Sequence, residues 1–373
     1  MKITHIHIER FRGFQNEDFE VGSLLTAIAG QNGTQKSTLL GIITQTFTLK
    51  TEDSMRVEKP LCGGSYISAF KDKFRLSPTF DKPKGHEWTI SFDAGMDDFT
   101  VESIKRTGDP NVRFWKKGAR QEGDGYISFP TIFLSLKRLV PVAEEAKIIT
   151  DDTLLTQEEL NEFKQLHNKI LIAQTPISSA TTITSKNKQS IGVSTELYDW
   201  NQNSMGQDNL GKIILALFSF KRLHDKYPRQ YKGGILAIDE MDATMYPASQ
   251  VELLKVLRKY ASKLNLQILF TTHSMSLLKA MDDLVQEVTK KEETANQAKI
   301  LYLKKVDDKI AIKQGVNFKG IQLDLNVVAE GNNRKKNRIT AYTEDKENIL
   351  FVKAILPLNF RYPSIWISEK WAK

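Results

Sequence analysis

Hydrophobic and polar positions alternate from Ile3 to Ile8, and a second short apolar run spans Phe19 to Val21, so the opening residues predict two strands around the turn-like Arg12-Gly13-Phe14. Leu24 to Ala29 is a run of the buried-strand type. It ends at Gly30 and gives way to the helix-like Ser37-Thr38-Leu39-Leu40-Gly41-Ile42-Ile43. From Trp88 to about Leu136, the runs WTISF, FTVESI, VRFW and YISF are separated by Ala94-Gly95, Gly108-Asp109-Pro110 and Gly123-Asp124-Gly125, which predicts an antiparallel meander. Between 141 and 175 the period becomes helical. There Leu155, Leu160, Phe163 and Leu166 lie inward, with Glu158, Glu159 and Glu162 on a polar face. Residues 176–190, rich in Ser, Thr and Lys, read as an exposed, mobile connection.

A helix from Asn209 to His224 then leads into a strand Gly234 to Ile238, a helix from about Ser249 to Leu264 and a strand Leu266 to Phe270. Strands alternating with helices predict a parallel sheet. The expected fold class is therefore α/β: a parallel sheet carrying a phosphate loop, an antiparallel β subdomain and a short inserted helical lobe over about 141–225. That domain is expected to span 1–310, with a separate C-terminal segment over 311–373. No internal repeat and no long heptad array interrupts this pattern.

Composition narrows the class without changing it. The 373 residues are 40% hydrophobic and 26% charged, values of an ordinary globular chain rather than a disordered or membrane-embedded one. No run reaches the roughly 18 apolar residues of a membrane span, and MKITHIHIERFRGF lacks the apolar core of a signal peptide, so the expected location is the cytoplasm. The single cysteine, Cys62, excludes an intrachain disulfide framework and a cysteine-based zinc cluster. Fifty-three Lys and Arg against 45 Asp and Glu leave a net charge of +8, which suits a phosphate backbone as well as a solvated basic surface. Arg334, Lys335, Lys336 and Arg338, and separately Lys116, Lys117 and Arg120, are the local concentrations.

The candidate chemistry begins at Gly30-Gln31-Asn32-Gly33-Thr34-Gln35-Lys36-Ser37-Thr38, between the buried strand and a helix N-terminus. Glycines let amides curl around phosphate oxygens, Lys36 reaches the β and γ phosphates, and the Ser37 hydroxyl holds Mg²⁺. The glycine expected before the lysine is Gln35, so the strict pattern fails at one position. A side chain there narrows the cradle and points to slow turnover. Alone, the segment is also compatible with a Gly-Asn-Gly turn before an ordinary helix. Downstream, Ile235 to Ile238 delivers Asp239 and Glu240 at the end of a strand, where α/β sheets place ligand-handling groups. Asp239 suits Mg²⁺, and Glu240 suits the general base for an attacking water. The next strand ends at His273, within reach of a γ-phosphate, although a lone histidine is more often simply solvated. Asn203-Ser204-Met205-Gly206-Gln207 opens a helix and offers a second anion site through Ser204, Gly206 and Gln207; taken alone, it is equally a helix cap.

The order Lys36, Ser204, Asp239, His273 is that of ABC ATPases. With the opening IERFRGF and the segments AGQNGTQKSTLL, IDEMDATMYP and TTHS, the chain resembles their RecF, SMC and OLD branch over roughly residues 1–310. The resemblance implies an ABC-type head that binds ATP and Mg²⁺ and hydrolyses ATP as a homodimer. Each nucleotide would be held by one subunit's loop and the partner's Ser204 segment. It also implies that Arg12 supports the phosphates and that Asp242 and Ala243 form the loop communicating across the dimer. The stretch between Lys36 and Ser204 is too short for SMC coiled-coil arms, so a RecF-like or OLD-like shape is expected. DNA is the implied partner, with a nuclease in cis or as a separate subunit of a bacterial anti-phage system. The alternatives are a RecF-like DNA-repair clamp and an ATP-binding scaffold with little turnover.

Arg338 to Leu356 reads as a strand, a carboxylate at Glu344 and an amphipathic helix, and resembles the opening of a Toprim nuclease domain. In OLD proteins that glutamate works with a later Asp-x-Asp pair. No such pair follows before Lys373, so the element is a piece of a longer domain, a vestige, or a helix start capped by Glu344.

Overall fold

A computed structural model describes residues 1–67, 70–93, 95–105, 112–118, 125–139, 148–151, 154–184, 189–330, 339–342, 354 and 365–368. They fall into two units, Met1–Phe318 and Lys319–Lys373.

In the first unit, β1 (Ile3–Phe11) and β2 (Phe14–Glu20) form a hairpin closed by Arg12 and Gly13, with Phe11 opposite Phe14. β2 reaches back to Phe14, beyond the apolar stretch at Phe19, because its polar residues face outward on the sheet edge. β3 (Leu25–Gly30), buried throughout, feeds α1 (Lys36–Thr44). After β4 (Phe47–Thr48) and the single turn α2 (Phe70–Lys73) come β5 (Glu87–Phe92), β6 (Phe99–Lys105) and β7 (Val112–Lys116). The antiparallel sheet runs β2-β1-β5-β6-β7, and β5 and β6 alternate buried and half-buried positions as a sheet covered on one face does. The meander stops there. From YISF only β8 (Ile127–Ser128) forms, pairing with β4, while β9 (Thr131–Leu134) leaves for the central sheet. Pro130 separates the two, and the consecutive apolar residues after it suit a strand covered on both faces.

The inserted lobe is not wholly helical. β10 (Ile149–Asp151) pairs with β11 (Ser179–Thr184), which pairs with β12 (Gln189–Ser194); β10 precedes α3 (Gln157–Leu171) along the chain, and β11 and β12 lie between α3 and α4 (Met205–Lys226). Much of the expected loose connection at 176–190 is thus strand; its threonines have a strand preference that outweighs their polarity. On α3 the inward face is Glu159, Phe163, His167 and Ile170, a rotation from the expected Leu160 and Leu166. Glu159 turns inward because it closes a capping box with Thr156 and pairs with Arg222 of α4 at 2.7 Å.

The central sheet is completed by β13 (Gly234–Ile238), α5 (Pro247–Lys263), β14 (Leu266–Thr272), α6 (Met275–Val288), β15 (Ala298–Val306) and β16 (Lys309–Lys313). Its order is β16-β15-β3-β14-β13-β9, parallel except at the β16 edge. Leu39, Leu40, Ile42 and Ile43 of α1 share one core with Ile28, Ala237, Leu269 and Leu301 of this sheet and Ile6, Ile8, Trp88 and Phe114 of the meander. The helix carrying Lys36 and Ser37 is therefore clamped between two sheets. Gln267 stitches them further, accepting from the Ile3 amide at 2.7 Å and donating to the Ile3 and Gly22 carbonyls at 2.8 and 3.1 Å.

The second unit contains most of α7 (Phe318–Glu330) and a parallel pair of β17 (Ile339–Tyr342) with β18 (Ile365–Ser368). Glu344 and the cluster Arg334, Lys335, Lys336 and Arg338 lie outside the described residues, as does Arg120. Among the described residues no helix is long and apolar enough to cross a membrane.

Candidate active site

The loop after β3 turns on two positive-φ glycines, Gly30 (φ 151) and Gly33 (φ 80). At Gly30 a Cβ would stand 2.4 Å from the Leu303 carbonyl, so glycine is the residue that fits. The Gln31 carbonyl accepts from Thr34 Oγ1 at 2.8 Å and from Lys36 Nζ at 2.9 Å, and Lys36 also donates to the Gly30 carbonyl at 3.0 Å. Thr34 and Lys36 are buried, whereas Asn32, Gly33 and Ser37 are exposed. Burial lowers the Lys36 ammonium to about 8, against the opposing pull of Glu240, Asp239 and Asp242.

Gln35 is the N-cap of α1 at φ 61, ψ 32, the left-handed region that a glycine enters without cost. The backbone shape of a phosphate loop is thus kept without the glycine. Its side chain lies against Gly13, where an added Cβ would come within 2.9 Å of Nε2, and its buried Oε1 has no hydrogen-bond partner.

Ser37 Oγ donates to Asp239 Oδ1 at 2.8 Å, and Thr271 Oγ1 donates to the same oxygen at 2.7 Å. The parallel register of β13 and β14 sets this meeting, because Ile238 and Phe270 are partners and both strands end on one edge. Glu240 sits at φ 50, its amide donating to Thr271 Oγ1 at 2.6 Å and its carbonyl accepting from Arg138 Nη2 at 2.7 Å. His273 Nε2 lies 4.0 Å from Glu240 Oε1, and the His273 amide donates to Asp242 Oδ1 at 3.3 Å. Burial and the Lys36 charge hold the His273 imidazole below its ordinary value, against Glu240, Asp242 and Asp239. Lys36, Ser37, Asp239, Glu240 and His273 thus surround one point at the ends of three parallel strands, where such sheets bind ligands.

Arg12 is directed elsewhere in part. Its Nε and Nη2 grip the buried Asp81 carboxylate at 3.0 and 2.9 Å, and only Nη1 turns towards Thr38 Oγ1, at 3.4 Å. Burial would raise the Asp81 carboxyl, but Arg12, the Ser77 amide and His86 bring it to about 2. Ser204 is the N-cap of α4, which starts earlier than the sequence suggested; its Oγ accepts from the Gln207 amide at 3.3 Å, and Gln207 Oε1 accepts from the Ser204 amide at 2.8 Å. The serine hydroxyl keeps its proton for another acceptor. A Cβ at Gly206 would lie 2.5 Å from the Thr244 carbonyl, so the first turn of α4 packs on the loop after Glu240.

Sequence reasoning missed Thr271, Asp81, Arg138 and Asn209. Thr271 could have been found as a hydroxyl at the end of a site strand; nothing marks the others, whose roles come from contacts across many residues.

The donor set fits a hard cation. The Ser37 hydroxyl and the Asp239 carboxylate converge, and among the described residues no group of three His, Cys, Asp or Glu could cage a metal alone, so phosphate oxygens and water would complete a Mg²⁺ shell.

The fold is of the mixed α/β class, and the site lies at the ends of its parallel strands. Residues 131–278, which include Asp239, Glu240 and His273, match the AAA ATPase domain family model, which supports ATPase activity. Among solved structures, the SMC head domain from Thermotoga maritima aligns at 14% identity and TM-score 0.46 over 85% of this chain and 100% of that one. The Smc head with an extended coiled coil bound to the C-terminal domain of ScpA, from Pyrococcus furiosus, aligns at 12% identity and TM-score 0.46 over 88% and 99%. An SmcHead bound to the C-winged helix domain of ScpA aligns at 13% and 0.49 over 86% and 100%. No curated protein matches the sequence.

Proposed function

We propose that the chain is an ABC-type ATPase of the RecF, SMC and OLD branch that works as a nucleotide-gated homodimer. The observation that carries this is the direct hydrogen bond from Ser37 to Asp239, with Glu240 next in the chain and His273 beside it. The amides of Asn32 to Thr38 would cradle the phosphates at the α1 N-terminus, and Lys36 would leave its two loop carbonyls for the β and γ oxygens. Ser37 and Asp239 would hold Mg²⁺, which neutralises charge developing on the phosphates. Glu240 accepts the proton of the attacking water, and His273, kept largely neutral, donates a hydrogen bond to the γ-phosphate. Ser204, Gly206 and Gln207 present a free hydroxyl proton and a helix N-terminus to the partner's nucleotide, so ATP favours the closed dimer by a contact absent after hydrolysis.

The biological use we infer is sensing or processing DNA, as the ATPase component of an anti-phage system coupled to a nuclease. The net charge of +8 supports the nucleic acid. The parallel β17–β18 pair supports a Toprim-like element at the C-terminus, since parallel strands need a crossover such as the helix read after Glu344. The test is ATP turnover by the purified chain with and without duplex DNA, beside Lys36→Ala and Glu240→Gln, with light scattering following mass. Loss of turnover in both variants, with Glu240→Gln held as an ATP-bound dimer, is the expected result. ATP binding without turnover in the wild type would replace this reading with the regulatory scaffold. DNA-stimulated turnover without cleavage in Mg²⁺ or Mn²⁺ would favour the RecF-like clamp.

A further inference from the structure

Arg138 is the least exposed arginine of the site region, 1% accessible, in the turn Leu136–Leu139 that follows β9. Its hydrogen-bond partners are neutral acceptors. Nε donates to Asn209 Oδ1 at 2.7 Å, Nη1 to the Leu134 and Ser135 carbonyls at 3.3 and 3.1 Å, and Nη2 to the Glu240 carbonyl at 2.7 Å. Burying a guanidinium costs several kcal/mol unless its donors are satisfied and its charge is compensated. One of these donors, Nη2, holds the backbone carbonyl of the residue that carries the candidate base.

Glu240 needs such a hold. At φ 50 a residue with a Cβ sits about 1–2 kcal/mol above the ordinary backbone wells. Its two peptide groups are pinned from different elements, the amide by Thr271 of β14 and the carbonyl by Arg138. Asn209 carries the tie onward. Fully buried on α4, five residues after Ser204, it accepts from Arg138 and donates through Nδ2 to the Ala243 carbonyl at 2.9 Å. Together with the close packing of Gly206 on Thr244, these bonds fix the first turns of α4 to the loop that begins at Glu240.

We propose that Arg138 is a positioning residue for hydrolysis: it locks the strained Glu240 backbone and, through Asn209, makes that geometry depend on the position of α4. Movement of α4 when Ser204 engages a phosphate is then transmitted to the base of the same subunit through the Arg138–Asn209–Ala243 bonds. This rests on the ATPase reading and deepens it by naming how the second anion site reaches the first.

The test compares Arg138→Lys, Arg138→Gln and Asn209→Ala with wild type in ATP affinity, kcat and amide hydrogen exchange over residues 240–245. The expected result is a kcat about 10 to 100-fold lower with ATP affinity within about twofold, because positioning acts on the transition state. The double variant Arg138→Gln with Asn209→Ala should be no worse than the weaker single variant, the mark of one shared path. Exchange over 240–245 should quicken in all variants without ATP, a readout independent of turnover. Unchanged exchange, or kcat retained in both Arg138→Lys and Asn209→Ala, overturns the proposal. So does a loss of affinity that accounts for the loss of rate. If Arg138→Gln does not fold, Asn209→Ala carries the test, since it leaves the arginine with its carbonyl partners. A wild type without turnover but with the expected exchange changes would instead remove the hydrolytic reading and leave the Arg138–Asn209–Ala243 tie standing.

Discussion

At the scale of single residues, Gln35 and Lys36 carry most of what is distinctive in the phosphate loop. Gln35 holds a left-handed backbone at φ 61 and buries an amide oxygen with no partner, two costs that glycine would not incur. Gln35→Gly is expected to raise stability by about 0.5–1 kcal/mol, the lost contact with Gly13 offsetting part of the relief. Chemical denaturation should show it as a higher midpoint at unchanged slope. Lys36 gives a pH signature. Its ammonium titrates near 8 in the free protein, and bound phosphates would raise that value, so ATP binding takes up a proton above pH 8. ATP affinity should be flat below pH 8 and fall up to about tenfold per pH unit above it, as read by titration calorimetry in buffers of different ionisation heat. Lys36→Arg, which stays charged, should abolish that slope if the lysine is its source.

Among the secondary-structure elements, α3 shows how a helix read correctly as a helix can still present a different face. Phe163, His167 and Ile170 fill the core position, and burial depresses the His167 imidazole to about 4. The folded value lies below the unfolded one, so the unfolded chain binds more protons as pH falls from about 6.5 to 4, and stability is lost across that window. The loss is on the order of 3 kcal/mol at its acid end. His167→Leu should remove that acid sensitivity while leaving stability at pH 8 nearly unchanged, which thermal melts at pH 5 and 8 would decide. The sequence period placed a helix within 141–175 but not its ends at Gln157 and Leu171, and rotation about the helix axis depended on Arg222 donating to Glu159, a contact made 63 positions away. The strand β11 and the first two residues of β12 were read as connection for a similar reason. Alternating Thr and Ser look solvated until a neighbouring strand supplies their hydrogen-bond partners.

For the whole of the first unit, the decisive contacts are those that hold the two sheets around α1. Gln267→Leu would leave the Ile3 amide, the Ile3 carbonyl and the Gly22 carbonyl without their buried partner and is expected to cost about 2–4 kcal/mol. Because the meander carries Arg12 and the central sheet carries Asp239, that variant should also weaken ATP binding, and wild-type affinity at a lowered unfolding midpoint would show the sheets to be independent. What the sequence by itself determined is local: the strand that ends at Gly30, the helix read from Ser37, the apolar strand that delivers Asp239 and Glu240, and the α/β alternation. Each is a pattern within a dozen residues, where backbone period and side-chain chemistry are read together. What only the tertiary structure decided is long-range: β9 as a central-sheet strand, the outward-polar β2, Arg12 turned to Asp81, and the Arg138–Asn209 tie behind Glu240. A buried arginine or asparagine has no local signature, because its stability comes from acceptors on other segments that the folded chain alone brings to it.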